Sequence, residues 1–129
     1  MKIKYAVFAL VIISIFACSL DHENPLDPKT SGIEAPAAIR GLNVALTWQD
    51  SVYVTWHPFV QYDGYFLYRS LDENGYFRRL EGIDLEPTDT LYVDTEINTF
   101  ERKCWYKMSA FTVIEGDTLE GYRCDPKTW

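Results

Sequence analysis

The chain has 129 residues and a formal charge of -7, from Lys+Arg 12 against Asp+Glu 19, with 47% hydrophobic and 16% aromatic residues. That length suits a single domain, the apolar content excludes a disordered chain, and the acidic balance excludes phosphate-backbone binding, so no nucleic-acid partner is expected. Two histidines and three cysteines leave little material for a metal cage, a cofactor site or a catalytic triad, so no enzyme is expected.

The first element is an export signal. Lys2 and Lys4 carry the only charges before position 18, and Tyr5 to Ala17 carries none. A positive stretch followed by a short apolar run reads as a signal helix over residues 1–17. The run falls short of the roughly 20 apolar residues of a membrane span; an uncleaved anchor is the alternative. Its end, Ile15-Phe16-Ala17-Cys18, resembles the lipobox of bacterial lipoproteins, with Phe16 bulkier than usual. The resemblance implies thioether lipidation of Cys18, removal of residues 1–17 and acylation of the new N-terminus. A lipid anchor would make the membrane a partner, since several chains hold where one binds only marginally. The location is then the bacterial cell envelope. Ser19, rather than Asp, follows Cys18; by resemblance to the sorting rule of enteric bacteria, this implies the outer membrane, on its periplasmic side or at the cell surface. Ordinary cleavage after Ala17, leaving a free thiol, is the alternative.

Residues 18–34 show no apolar period. Pro25, Pro28 and Gly32 punctuate a scatter of acids, which marks a flexible tether reaching at most ~60 Å. Asp21, Glu23, Asn24 and Asp27 lack the spacing and glycine of a calcium loop and read as solvated charge. Export removes two lysines and no acid, so the mature chain is more acidic than the whole.

From Ile39 onward, apolar and polar residues alternate in short runs: Val52, Val54 and Trp56; Tyr65 and Leu67; Tyr106, Met108 and Ala110. Period two with β-branched and aromatic residues marks strands with one buried face. Seven are predicted, at 39–46, 51–56, 64–70, 76–80, 89–94, 103–113 and 118–123. Asn74-Gly75 is the strongest hairpin signal, expected as a type I′ turn; Glu115-Gly116-Asp117 is a second turn and Asp63-Gly64 a third. The pattern predicts an all-β, seven-stranded sandwich, with a small closed barrel as the alternative.

Pro36, Leu42, VYVTW ending at Trp56, GYFLYRS from Gly64, TLYVDT from Thr90 and WYKMSA from Trp105 together resemble a fibronectin type III domain, an immunoglobulin-like sandwich, over roughly residues 35–123. The resemblance implies a domain at 35–124, a tail at 125–129 and a core role for Trp56. It also exposes a departure: the tyrosine usual at the start of the sixth strand is Cys104 here. By that alignment Cys124 ends the last strand, antiparallel to the sixth, so a Cys104–Cys124 disulfide is expected, permitted by export and needing a bulge to bring the Cα atoms within ~7 Å. Two separate buried thiols are the alternative.

The candidate functional residues are aromatic. With Tyr65, Leu67, Cys104, Tyr106 and Met108 inward, Phe66, Tyr68, Trp105 and Phe111 face outward on neighbouring strands, and Tyr76 and Phe77 extend the stripe. Such a face would bind an envelope protein or a glycan. In the alternative reading Lys107, Arg69 and Arg78 stems cover the rings, or the rings serve only as cross-strand pairs. His57 reads as a turn residue, and Asp84, Glu86 and Asp89 as solvated surface. The expected role is a non-catalytic binding or spacer module; a carbohydrate-binding module or a small structural subunit of an envelope complex are the alternatives.

Overall fold

The computed structural model describes residues 32–47, 50–99 and 101–129. The expected signal helix, the expected lipidation site Cys18 and the expected tether up to residue 31 lie outside them.

Alternation is what builds the sheets. The strands are β1 (Asn43–Leu46), β2 (Val52–Thr55), β3 (Gly64–Ser70), β4 (Arg78–Arg79), β5 (Leu91–Asp94), β6 (Trp105–Ile114) and β7 (Asp117–Glu120). They form two antiparallel sheets, ordered β1-β2-β5 and β4-β3-β6-β7. Two separate sheets make a sandwich and not a closed barrel. In the first sheet Val44 pairs with Val54 and Val52 with Asp94, so one set of positions points inward. In the second, Leu67 pairs with Met108 and Tyr65 with Ala110, placing those four inward. Val52, Val54, Leu67, Tyr106 and Met108 are fully buried. Ile39, Leu42 and Leu85 add to this core from outside the regular strands. Trp56, just beyond β2, is buried and meets the Tyr65 ring edge-on at 5.6 Å.

Strand ends depart from the expectation where other contacts replace the ladder. Residues before Asn43 run as an irregular segment, and the Pro36 carbonyl accepts from the Tyr122 N–H at 3.3 Å. Gly121 permits that approach, since a Cβ there would lie 2.2 Å from the Pro36 oxygen. The expected strand at 76–80 shrinks to two residues. The segment expected as a tail at 125–129 instead continues along β6. Gly121 donates to Ala110 O at 2.8 Å, Cys124 to Met108 O at 2.9 Å, and Lys127 exchanges both backbone bonds with Tyr106. Each step takes two residues on β6 against three on the returning chain, so the pairing bulges twice. Residues Ile33–Trp129 accordingly form one compact unit.

The turns also exchange roles. Asn74 and Gly75 both keep negative φ, so no type I′ turn forms there. The Ser70 hydroxyl accepts from Asp72 N–H, the Asp72 carboxylate accepts from Asn74 N–H, and the Asp72 carbonyl accepts from Gly75 N–H. Side chains that capture nearby N–H groups make a wider loop than a two-residue hairpin. The tight turn lies at Glu115 (φ 52) and Gly116 (φ 89), directly between the paired Ile114 and Asp117. Two consecutive positive φ values match the right-handed twist of the flanking strands.

Candidate interaction face

The outer face of the β4-β3-β6-β7 sheet collects the aromatic residues singled out by alternation. Phe66 and Phe111 stack at 4.5 Å with planes 19° apart. The rings are not bare. The Arg79 guanidinium lies 4.6 Å over Phe66. Lys107 lies 4.7 Å over Phe77, Lys103 lies 5.8 Å over Trp105, and Arg123 lies 3.8 Å over Tyr68. Cations over ring faces are held by the ring quadrupole, and their stems cover apolar surface. Of the three basic residues expected as covers, only Lys107 serves. Register decides the others: Arg79 pairs with the outward Tyr68, whereas Arg78 pairs with the inward Arg69.

Tyr68 is a correction to the expected face. It points outward, yet it is only 3% exposed, lying beneath Arg123 with its hydroxyl donating to Glu120. Phe66, Trp105 and Phe111 are half-buried. Tyr76 stands apart at 86% exposure, in the loop before β4.

Glu120 closes a polar cluster on this face. One carboxylate oxygen accepts from Tyr68 Oη, from Ser109 Oγ at 2.7 Å and from Arg123 Nε at 3.2 Å. Burial pushes its carboxyl up, but the three hydrogen bonds and the Arg123 charge outweigh burial and hold it below the ordinary range. A depressed carboxyl pKa contributes stability that is present above the unfolded value and lost as pH falls through the folded value. Glu120→Gln is therefore expected to flatten the stability profile below the ordinary carboxylate range. Urea titrations of both proteins across acid pH check this; parallel profiles would contradict it.

Beneath this face lies a buried polar link between the sheets. Asp94 of β5 is fully buried. Its Oδ2 accepts from Arg69 Nη1 at 2.7 Å and from Tyr106 Oη at 2.8 Å, and its Oδ1 accepts from the Glu96 N–H at 3.1 Å. Burial and the neighbouring Asp94 charge push the Tyr106 phenol far up, so it stays a donor. A second carboxylate, Glu96, lies 3.9 Å from Arg69.

The two cysteines are not joined: Cys104 and Cys124 are free thiols. The double bulge is the reason. It brings Cys124 opposite Met108, whose N–H donates to Cys124 Sγ at 3.3 Å, while the Cys104 carbonyl accepts from Thr128 Oγ1 at 2.7 Å. Burial pushes both thiols up, so neither is an activated nucleophile. Denaturation without reductant is expected to release both thiols to a thiol reagent, with slow reaction in the native state. Failure of both to react in denaturant would restore the disulfide.

Beside the aromatic face opens a cleft of about 780 Å³, lined by Arg69, Arg78, Arg79 and Arg102 together with Tyr76 and the acids Glu81, Glu96 and Glu101. Alternation did not reveal it, because its walls come from the loops flanking β4 and β6. The opposite sheet offers a different surface. Its outward positions Asn43, Ala45, Tyr53, Thr55, Leu91 and Val93 carry no charge, and Tyr53, Leu91 and Val93 are exposed. Among the described residues, no cluster of His, Cys, Asp and Glu is placed to hold a metal ion, and no helix is long and apolar enough to cross a membrane.

A sandwich of three and four antiparallel strands, with a tryptophan in the core, defines an immunoglobulin-like β-sandwich module. Comparison with solved structures specifies it further. The chain is similar to an Fn3-like protein from Clostridium thermocellum, at 25% identity and TM-score 0.55, covering 73% of this chain and 93% of that one. An FN3 domain of human collagen XX matches at 20% identity and TM-score 0.45, covering 75% of this chain and 100% of that one. No family model matches the sequence, and no curated protein matches it. The fold is thus fibronectin type III-like, a class of module that is typically non-catalytic and serves interaction or spacing.

Proposed function

We propose that the protein is a lipid-anchored, non-catalytic module of the bacterial cell envelope that engages a protein partner through the β4-β3-β6-β7 side of its sandwich. Anchoring through Cys18, and an outer-membrane location, rest on the lipobox-like Ile15-Phe16-Ala17-Cys18. The observation that carries the interaction reading is the cation-covered aromatic face beside an arginine-lined cleft. Buried aromatic anchors with arginine are the residue types enriched at energetic centres of protein interfaces. The carbohydrate alternative needs bare ring faces on which sugars stack, and here Arg79, Lys107 and Arg123 occupy those positions.

Crosslinked pull-down from native envelope tests the interaction. A discrete co-purifying protein supports it, and recovery of the module alone contradicts it. Cys18→Ser tests the anchor: the wild-type chain is expected to carry added acyl mass on an N-terminal peptide beginning at position 18, and the variant none. A wild-type N-terminal peptide without acyl mass would contradict lipidation.

A further inference from the structure

Positive charge is concentrated on one side of an acidic domain. Lys103, Lys107, Arg79 and Arg123 lie on the rings of the β3–β6 face, and Arg69, Arg78 and Arg102 line the adjoining cleft. Elsewhere in the described residues the only basic side chains are Arg40 and Lys127. Glu81, Glu96 and Glu101 also line the cleft, but they leave part of the positive charge of this side unpaired. Arg69 is held by Asp94, Arg79 by Glu81 and Arg123 by Glu120, but Lys103, Lys107, Arg78 and Arg102 form no ion pair with another described residue. A concentration of one sign on a protein of the opposite net sign steers and selects partners of complementary charge.

The backbone here is also open. β4 is an edge strand of two residues, Arg78 and Arg79. The Leu80 N–H donates to Leu67 O at 2.9 Å, so by antiparallel alternation the backbone groups of Arg79 point away from β3. An open edge is a template for an added extended strand. A short, charged edge is itself a device against indiscriminate pairing; Arg78 and Arg79 turn this one against neutral or basic strands and leave an acidic newcomer favoured.

We infer that the β4 edge receives an extended acidic segment of the partner protein, its backbone pairing along Arg79 and its carboxylates meeting Arg78, Lys107 and Arg102. This rests on the protein-interaction reading above and names the chemistry of the partner. An extended peptide is favoured over an acidic polysaccharide because only a peptide can use the open edge.

The test uses the full chain and a labelled oligo-glutamate peptide, with binding followed by fluorescence anisotropy. Polygalacturonate supplies carboxylates without a peptide backbone, and oligo-lysine supplies the opposite charge. The expected result is oligo-glutamate binding that weakens with salt. It should fall about tenfold in the double variant Arg78→Gln/Arg79→Gln and remain unchanged in Lys127→Gln, with near-ultraviolet circular dichroism confirming that each variant is folded. Equal binding by the folded double variant, or no oligo-glutamate binding at low salt, overturns the inference. Polygalacturonate binding as tightly as the peptide, with the same loss in the double variant, overturns it in favour of an acidic glycan. The envelope pull-down separates the two levels. A partner still captured by the double variant overturns the acidic-segment inference and leaves the interaction reading standing, whereas no partner for the wild-type chain overturns the interaction reading itself.

Discussion

Asp94→Ala is expected to lower the unfolding free energy by about 3–5 kcal/mol, the range for breaking a buried charge pair by removing one member. The carboxylate is fully buried and answers three donors, from Arg69, Tyr106 and its own loop at Glu96. Without it, the Arg69 guanidinium is left with Glu96 at 3.9 Å. The buried Tyr106 hydroxyl loses its acceptor. The link also crosses the sandwich, joining β5 of one sheet to β3 and β6 of the other, so its loss loosens the contact between layers. Tyr106→Phe removes one hydrogen bond to a charged acceptor and should cost about 1.5–3 kcal/mol. The two changes share a partner, so the double variant should cost less than the sum. Urea unfolding of the three proteins measures this. A loss below about 1 kcal/mol for Asp94→Ala would match an exposed pair and contradict the role assigned to it.

Trp56→Ala should destabilise by about 3–5 kcal/mol, as expected for truncating a buried aromatic. Trp56 is 3% exposed and packs edge-on against Tyr65. The informative comparison is Trp56→Phe. The indole Nε1 of Trp56 is buried with no hydrogen-bond partner, and such a donor carries its desolvation penalty of about 1–3 kcal/mol uncompensated. Phenylalanine removes that donor and retains a ring, so its cost should be well under half that of alanine. Equal losses for the two substitutions would mean that the retained ring contributes nothing, and would contradict this account. Because domains of this kind hold only about 5–15 kcal/mol in total, either alanine substitution brings the module near its unfolding threshold.

Most of the sandwich is legible as alternation, since Val52, Val54, Leu67, Tyr106 and Met108 declare a buried face by residue type alone. Polar residues in the same register are harder to read. Arg69 and Asp94 occupy inward positions of β3 and β5, yet their chemistry reads as solvent-facing. The usable signal is parity: Arg69 lies two residues after Leu67, and Asp94 pairs with Val52. Each is tolerable inside because the other comes from the facing sheet. The outward stripe is legible as a set of residues but not as a surface. Whether Tyr68 is bare depends on Arg123 and Glu120, which arrive from β7 and the chain beyond it. The loop at Asn74-Gly75 differs from expectation because Ser70 and Asp72 offer competing acceptors to the local N–H groups. The cysteines differ because two bulges shift the register after Gly121, and bulges leave no mark in a hydrophobic pattern.

The most direct test of the interaction account places a photoreactive side chain at Tyr76, which is 86% exposed beside the cleft, and separately at Tyr53, exposed on the opposite sheet. Each protein is irradiated in the cells that produce it, and crosslinked products are resolved by mass. The account predicts one discrete protein adduct from position 76 and none from position 53. An adduct from position 53 alone, or from neither, would contradict it.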